Sequence, residues 1–96
     1  MAVDVEKLIG VFEEARRRLS LPDNDFSWSG WEDTADALEG IDAVLARLRS
    51  AESHVPAYSS ILFAPTGPIQ EVSLSSGWGD EFIALADRYD AAMGRT

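Results

Sequence analysis

Residues 58–74 read Tyr58-Ser59-Ser60-Ile61-Leu62-Phe63-Ala64, then Pro65-Thr66-Gly67-Pro68, then Ile69-Gln70-Glu71-Val72-Ser73-Leu74. How this stretch is read decides the fold. Two apolar runs of strand length flank four turn-forming residues. Ala64-Pro65-Thr66-Gly67 suits a type I turn, with Pro second and Gly fourth. Pro68 cannot donate a ladder hydrogen bond, so it belongs at a strand's first position or at a bulge. In a strand, Ile61 and Phe63 share one face, with Tyr58 and Leu62 on the other, and Val72 and Leu74 share a face on the second run. The pattern predicts a two-stranded antiparallel hairpin.

Three helices are predicted around it. Val5, Leu8, Ile9, Phe12, Ala15 and Leu19 follow helical spacing, with Asp4 and Glu6 at the start, Arg16-Arg17-Arg18 at the end and Pro22 just beyond. Gly10 lies mid-helix and marks a place where another element can cross closely. Trp31, Leu38, Ile41, Leu45 and Leu48 form a second stripe, with Ser29 as N-cap and Glu32 completing a capping box. Phe82, Leu85, Ala86, Tyr89 and Met93 form a third, which Gly94 ends. The expected fold is therefore α+β: a single domain over residues 1–96, order α-α-β-β-α, with helices packed on the hairpin. A lone ribbon is marginal in water and its open edges invite pairing. Homodimerisation through the hairpin is expected on that ground.

Ser29-Gly30-Trp31-Glu32-Asp33 and Ser76-Gly77-Trp78-Gly79-Asp80 share Ser-Gly-Trp-x-Asp. Each is read as a helix start, Ser capping, Gly bending, Trp folding onto the core and Asp facing the dipole.

Seventeen acidic residues against eight basic ones give a formal net charge of -9. Such a surface repels phosphate backbones and anionic bilayers, so no nucleic-acid partner and no membrane partner are expected. Seven of the eight basic residues are arginine, which suggests a G+C-rich, bacterial coding sequence. Cysteine is absent, which removes disulfides, thiolate metal sites and a Cys nucleophile. The first residues lack a basic-then-apolar pattern and no apolar run reaches spanning length, so a cytoplasmic protein is expected.

Candidate chemistry is sparse. Serines abound without a Gly-x-Ser-x-Gly elbow, and the only histidine, His54, sits alone in a connector. Asp23-Asn24-Asp25 with Ser27 and Ser29 imitates a calcium loop, but Trp28 and Thr34 occupy the positions that need Gly and Glu. Gly77-Trp78-Gly79 precedes a helix, but Asp80 and Glu81 oppose phosphate there. No cofactor and no metal are expected. The aromatic residues carry the binding expectation: Trp28, Trp31 and Trp78, with Tyr58 and Tyr89.

The preferred reading is a noncatalytic acidic protein-binding module that engages a basic protein partner. Immunity proteins and antitoxins are the physical type, by size and charge alone. The alternative is a small-ligand binder or minor enzyme, its pocket beside the hairpin lined by Tyr58, Trp78 and Tyr89.

Overall fold

The computed structural model describes residues 3–27, 29–50, 58–64 and 67–94, with the side chain of Tyr58 outside the description. Five helices follow in order: α1 Val5–Leu19, α2 Thr34–Arg49, α3 Tyr58–Leu62, α4 Pro68–Ser76 and α5 Gly79–Ala92. Among the described residues there is no strand.

The α+β expectation, with its hairpin, is therefore overturned. Residues 58–62 and 68–76 are helical, and the burial pattern shows why. Val72 is fully buried while Leu74 is 62% exposed, and Phe63 is buried while Ile61 is 57% exposed. A strand would have placed each pair on one face; a helix separates residues two apart by about 200°. Ile69, Val72 and Ser73 turn inward together, a spacing of three and four. Pro68 occupies the first turn of α4, where its missing N–H is no loss, and Gly67 is the cap before it. Gly77 closes α4 in the left-handed region at φ 86, and the Trp78 N–H returns to the Ser73 carbonyl at 2.9 Å. Proline and glycine thus bracket a helix here. The strand edges from which pairing of two copies was expected are absent among the described residues, so that route to a homodimer loses its basis.

The long helices match their stripes more closely. In α1, Asp4 is the N-cap, its Oδ1 accepting from the Lys7 N–H at 3.1 Å. The cap of α2 is Asp33 rather than Ser29: the Asp36 N–H donates to Asp33 Oδ1 at 3.0 Å, while Asp36 Oδ2 accepts from the Glu32 N–H at 3.1 Å. The reciprocal logic of a capping box holds, shifted along the chain. Ser29 instead shapes the preceding turn, donating to the Phe26 carbonyl and accepting from the Trp31 N–H. Likewise Ser76 ends α4 instead of opening α5, although Gly30 and Gly77 of the Ser-Gly-Trp echo share φ near +85°.

α1 is the central helix, packing against both α2 and α5, with α4 on α5 and α3 on α4. Leu8, Val11, Phe12, Ala15 and Leu19 give α1 its buried face. Phe12 meets Phe63 and Tyr89 edge-on at ring separations of 5.3 and 6.1 Å. Phe63 in turn stacks on Tyr89 at 4.8 Å and on Phe82 at 6.2 Å. Each such buried side chain contributes about 1.5–3 kcal/mol through burial, and a ring pair about 0.5–1.5 kcal/mol more. Phe63, expected in the hairpin, thus forms part of a helical core. Across the α1–α2 seam, Arg16 Nε pairs with Asp42 at 2.7 Å and Arg49 with Glu13 at 2.6 Å. The Asp42 carboxylate holds the Arg16 guanidinium above its ordinary pKa through a hydrogen bond and charge attraction. These pairs face solvent, so they set helix register more than stability.

No helix among the described residues is long and apolar enough to cross a membrane.

Candidate functional site

Of the five aromatic residues singled out from the sequence, Trp31, Trp78 and Tyr89 are described with their side chains, and these three lie in different surroundings. Trp28, and the side chain of Tyr58, lie outside the described residues, as does His54. Trp78 is only 6% exposed, and its Nε1 donates to Asn24 Oδ1 at 2.8 Å. Its role is to pin the α1–α2 loop to the start of α5. Tyr89 is buried in the ring cluster, its hydroxyl within hydrogen-bond distance of Ser59 Oγ at 3.2 Å and Ser60 Oγ at 3.1 Å. Trp31 is partly buried against the core and reaches a surface cleft.

That cleft is built by the loop between α1 and α2 and has a volume of about 550 Å³. Phe26 and Trp31 supply apolar wall, and Asp25, Glu32 and Asp33 supply three carboxylates. Several short bonds hold the loop in shape. Asn24 Nδ2 donates to the carbonyls of Arg18 and Leu21, which anchors the loop to the end of α1. The Asp25 N–H donates to Ser76 Oγ at 2.8 Å, which ties it to the end of α4. The Ser27 N–H donates to Asp25 Oδ1 at 2.9 Å in an Asx-turn. The Ser27 hydroxyl, and then this backbone N–H, hold the Asp25 carboxyl below the usual carboxylate range, so it is an anion at neutral pH.

The charge around the cleft is one-sided. Between Leu19 and Gly40 the chain carries Asp23, Asp25, Glu32, Asp33, Asp36 and Glu39, with no Lys, Arg or His. The α1–α2 groove contrasts with it: there Arg16 and Arg49 are matched by Asp42 and Glu13. Asp25, Glu32 and Asp33 were not among the binding residues expected from the sequence, nor was Asn24 expected as the acceptor for Trp78. The signal that would have found the carboxylates is this basic-free run. Among the described residues, no group of three or more His, Asp or Glu is arranged to hold a metal ion.

A second, more apolar hollow of about 370 Å³ lies between α3, α4 and α5, with Phe63, Phe82 and Tyr89 in its wall. Of the two described side chains of the expected aromatic pocket, Tyr89 is found there and Trp78 does not line it. The Tyr89 hydroxyl is already engaged by Ser59 and Ser60, so the hollow presents mainly ring surface.

Comparison of the chain with protein-family models, curated proteins and solved structures found no match in any of the three.

Proposed function

We propose that this chain is a noncatalytic, acidic protein-binding domain that engages a basic protein partner at the α1–α2 loop cleft. The observation that carries the reading is the placement of Asp25, Glu32 and Asp33 beside Phe26 and Trp31, in a stretch of chain without a cation. A lysine or arginine of the partner has two attractions there. Carboxylates accept its N–H groups, in bidentate form for arginine, and aromatic faces attract the cation. The bonds from Asn24, Ser27 and Ser76 hold the loop in place before contact, which lowers the ordering cost of association. The surrounding acidic field steers a basic partner and speeds encounter, as in immunity proteins and antitoxins, the physical type by size and charge.

The test uses a partner captured from native lysate with the wild-type chain and then purified. Asp25→Asn with Glu32→Gln removes two charges while leaving the α2 cap at Asp33 in place. The association rate is expected to fall about tenfold or more, and the wild-type rate to drop steeply with added salt. An affinity insensitive both to these substitutions and to salt would remove the cleft from the partner's site.

A further inference from the structure

Three large apolar side chains on the α3–α4–α5 side stand open to solvent: Ile61, Leu74 at 62% and Ile83 at 58%. Isolated exposed leucines need no explanation, but Leu74 and Ile83 are joined. A Cβ built on Gly79 would lie 3.2 Å from Leu74 Cδ2, so the Leu74 side chain rests against the bare backbone of α5. Ile83 is one turn beyond Gly79 on the same helix face, and Ala86 follows three residues later at the edge of the ring-walled hollow. An apolar track therefore runs from the end of α4, across Gly79 and Ile83, to the rings of Phe82 and Phe63.

Charge identifies what suits this track. Asp80 and Asp87 are exposed and lie three residues before and four after Ile83, so both flank it. No Lys or Arg occurs from Ser50 to Asp87. Arg88 lies on the other flank of α5, its guanidinium close to Gly10 of α1. A second copy of this chain would bring net charge -9 against net charge -9, which disfavours it as the occupant. An extended peptide finds no strand edge to pair with among the described residues, whereas a helix satisfies its own backbone.

We propose that a basic amphipathic helix of a partner protein docks along the α4–α5 face, its apolar stripe on Leu74, Ile83 and Ala86 and its cations beside Asp80 and Asp87. This rests on the reading of the chain as an acidic protein-binding domain, and names the part of a partner that it takes.

The probe is a fluorescein-labelled synthetic helix of leucine and lysine with the leucines on one face, followed by anisotropy. Its control has the same composition with the leucines scattered. The expected result is that Leu74→Lys and Ile83→Lys each weaken the patterned peptide about tenfold or more. Asp25→Asn with Glu32→Gln weakens the patterned peptide far less than Leu74→Lys or Ile83→Lys does, and the scattered peptide binds more weakly. Both positions are more than half exposed, and circular dichroism confirms that the variants fold. If only the Asp25/Glu32 variant loses the peptide, the α4–α5 face is overturned and the loop cleft keeps its support. If the scattered peptide binds as well as the patterned one, or neither binds at low salt, the docking face is overturned. Sedimentation supplies the last arm: a wild-type dimer that Ile83→Lys dissociates would make a second copy the occupant and overturn the proposal.

Discussion

Trp78 and Asn24, 54 positions apart, meet through a 2.8 Å hydrogen bond from the indole Nε1 to the amide oxygen. Asn24 spends its amide N–H groups on the end of α1, so one side chain joins α1, the loop and the start of α5. Asn24→Ala strands a half-buried indole N–H and frees the loop. Urea unfolding should show a loss of about 1–3 kcal/mol, with helical content unchanged in the absence of denaturant.

Two glycines should respond in opposite directions to alanine. At Gly10 an added Cβ meets only the Arg88 guanidinium, at 3.9 Å. Gly10→Ala should therefore stabilise α1 by up to about 1 kcal/mol, read as a higher thermal midpoint. At Gly67 a Cβ would fall 2.5 Å from the Ile61 carbonyl oxygen and 2.8 Å from that of Ala64. Gly67→Ala should cost about 1–3 kcal/mol, because backbone must shift. Two equal responses would contradict the α3–α4 geometry.

The helical reading of residues 68–76 has a direct test in Val72 and Leu74. Val72 is enclosed by the core, whereas Leu74 is not. Val72→Asp buries an unpaired charge and should cost at least about 3 kcal/mol, while Leu74→Asp should stay within about 0.5 kcal/mol. A hairpin would have made the two losses similar.

Removal of the α2 cap is the fourth measurement. Asp33→Ala leaves the Asp36 N–H without its acceptor and should cost about 0.5–2 kcal/mol in denaturant midpoint analysis. Asp33→Asn or Asp33→Ser should recover most of that loss.

Asp25 sets the pH behaviour of the loop. Its folded pKa is depressed by the Ser27 hydroxyl and N–H. The stability it contributes is therefore present above its unfolded value and disappears as pH falls through the lower folded value. Ser27→Ala removes the hydroxyl, and the Asp25 midpoint, followed by carboxyl NMR, should move up towards the ordinary carboxylate range.

The long helices were legible because their stripes repeat over several turns. Leu8, Phe12, Ala15 and Leu19 are inward as the spacing demands, and so are Ile41, Leu45 and Leu48, and Phe82, Leu85 and Tyr89. Short α3 and α4 offered too few turns for period to outweigh composition. Ile61, Phe63, Ile69 and Val72 are strand-favouring residues, and Pro65-Thr66-Gly67 carries turn chemistry. The opposing signal was Pro68 followed nine residues later by Gly77, the bracket of a short helix. The acidic cleft was harder to foresee. Asp33 reads first as a helix-start residue, which it is, and only the folded loop places it with Asp25 and Glu32.

α1 completes its packing against α5, and the Asp4 N–H donates to the Ala92 carbonyl at 2.7 Å. During synthesis, the ribosome must therefore release nearly the whole segment before Leu8, Phe12 and their neighbours gain their last cover. Until α5 emerges, that greasy stripe is available to a chaperone, so the time spent translating residues 20–92 sets how long the nascent protein needs protection.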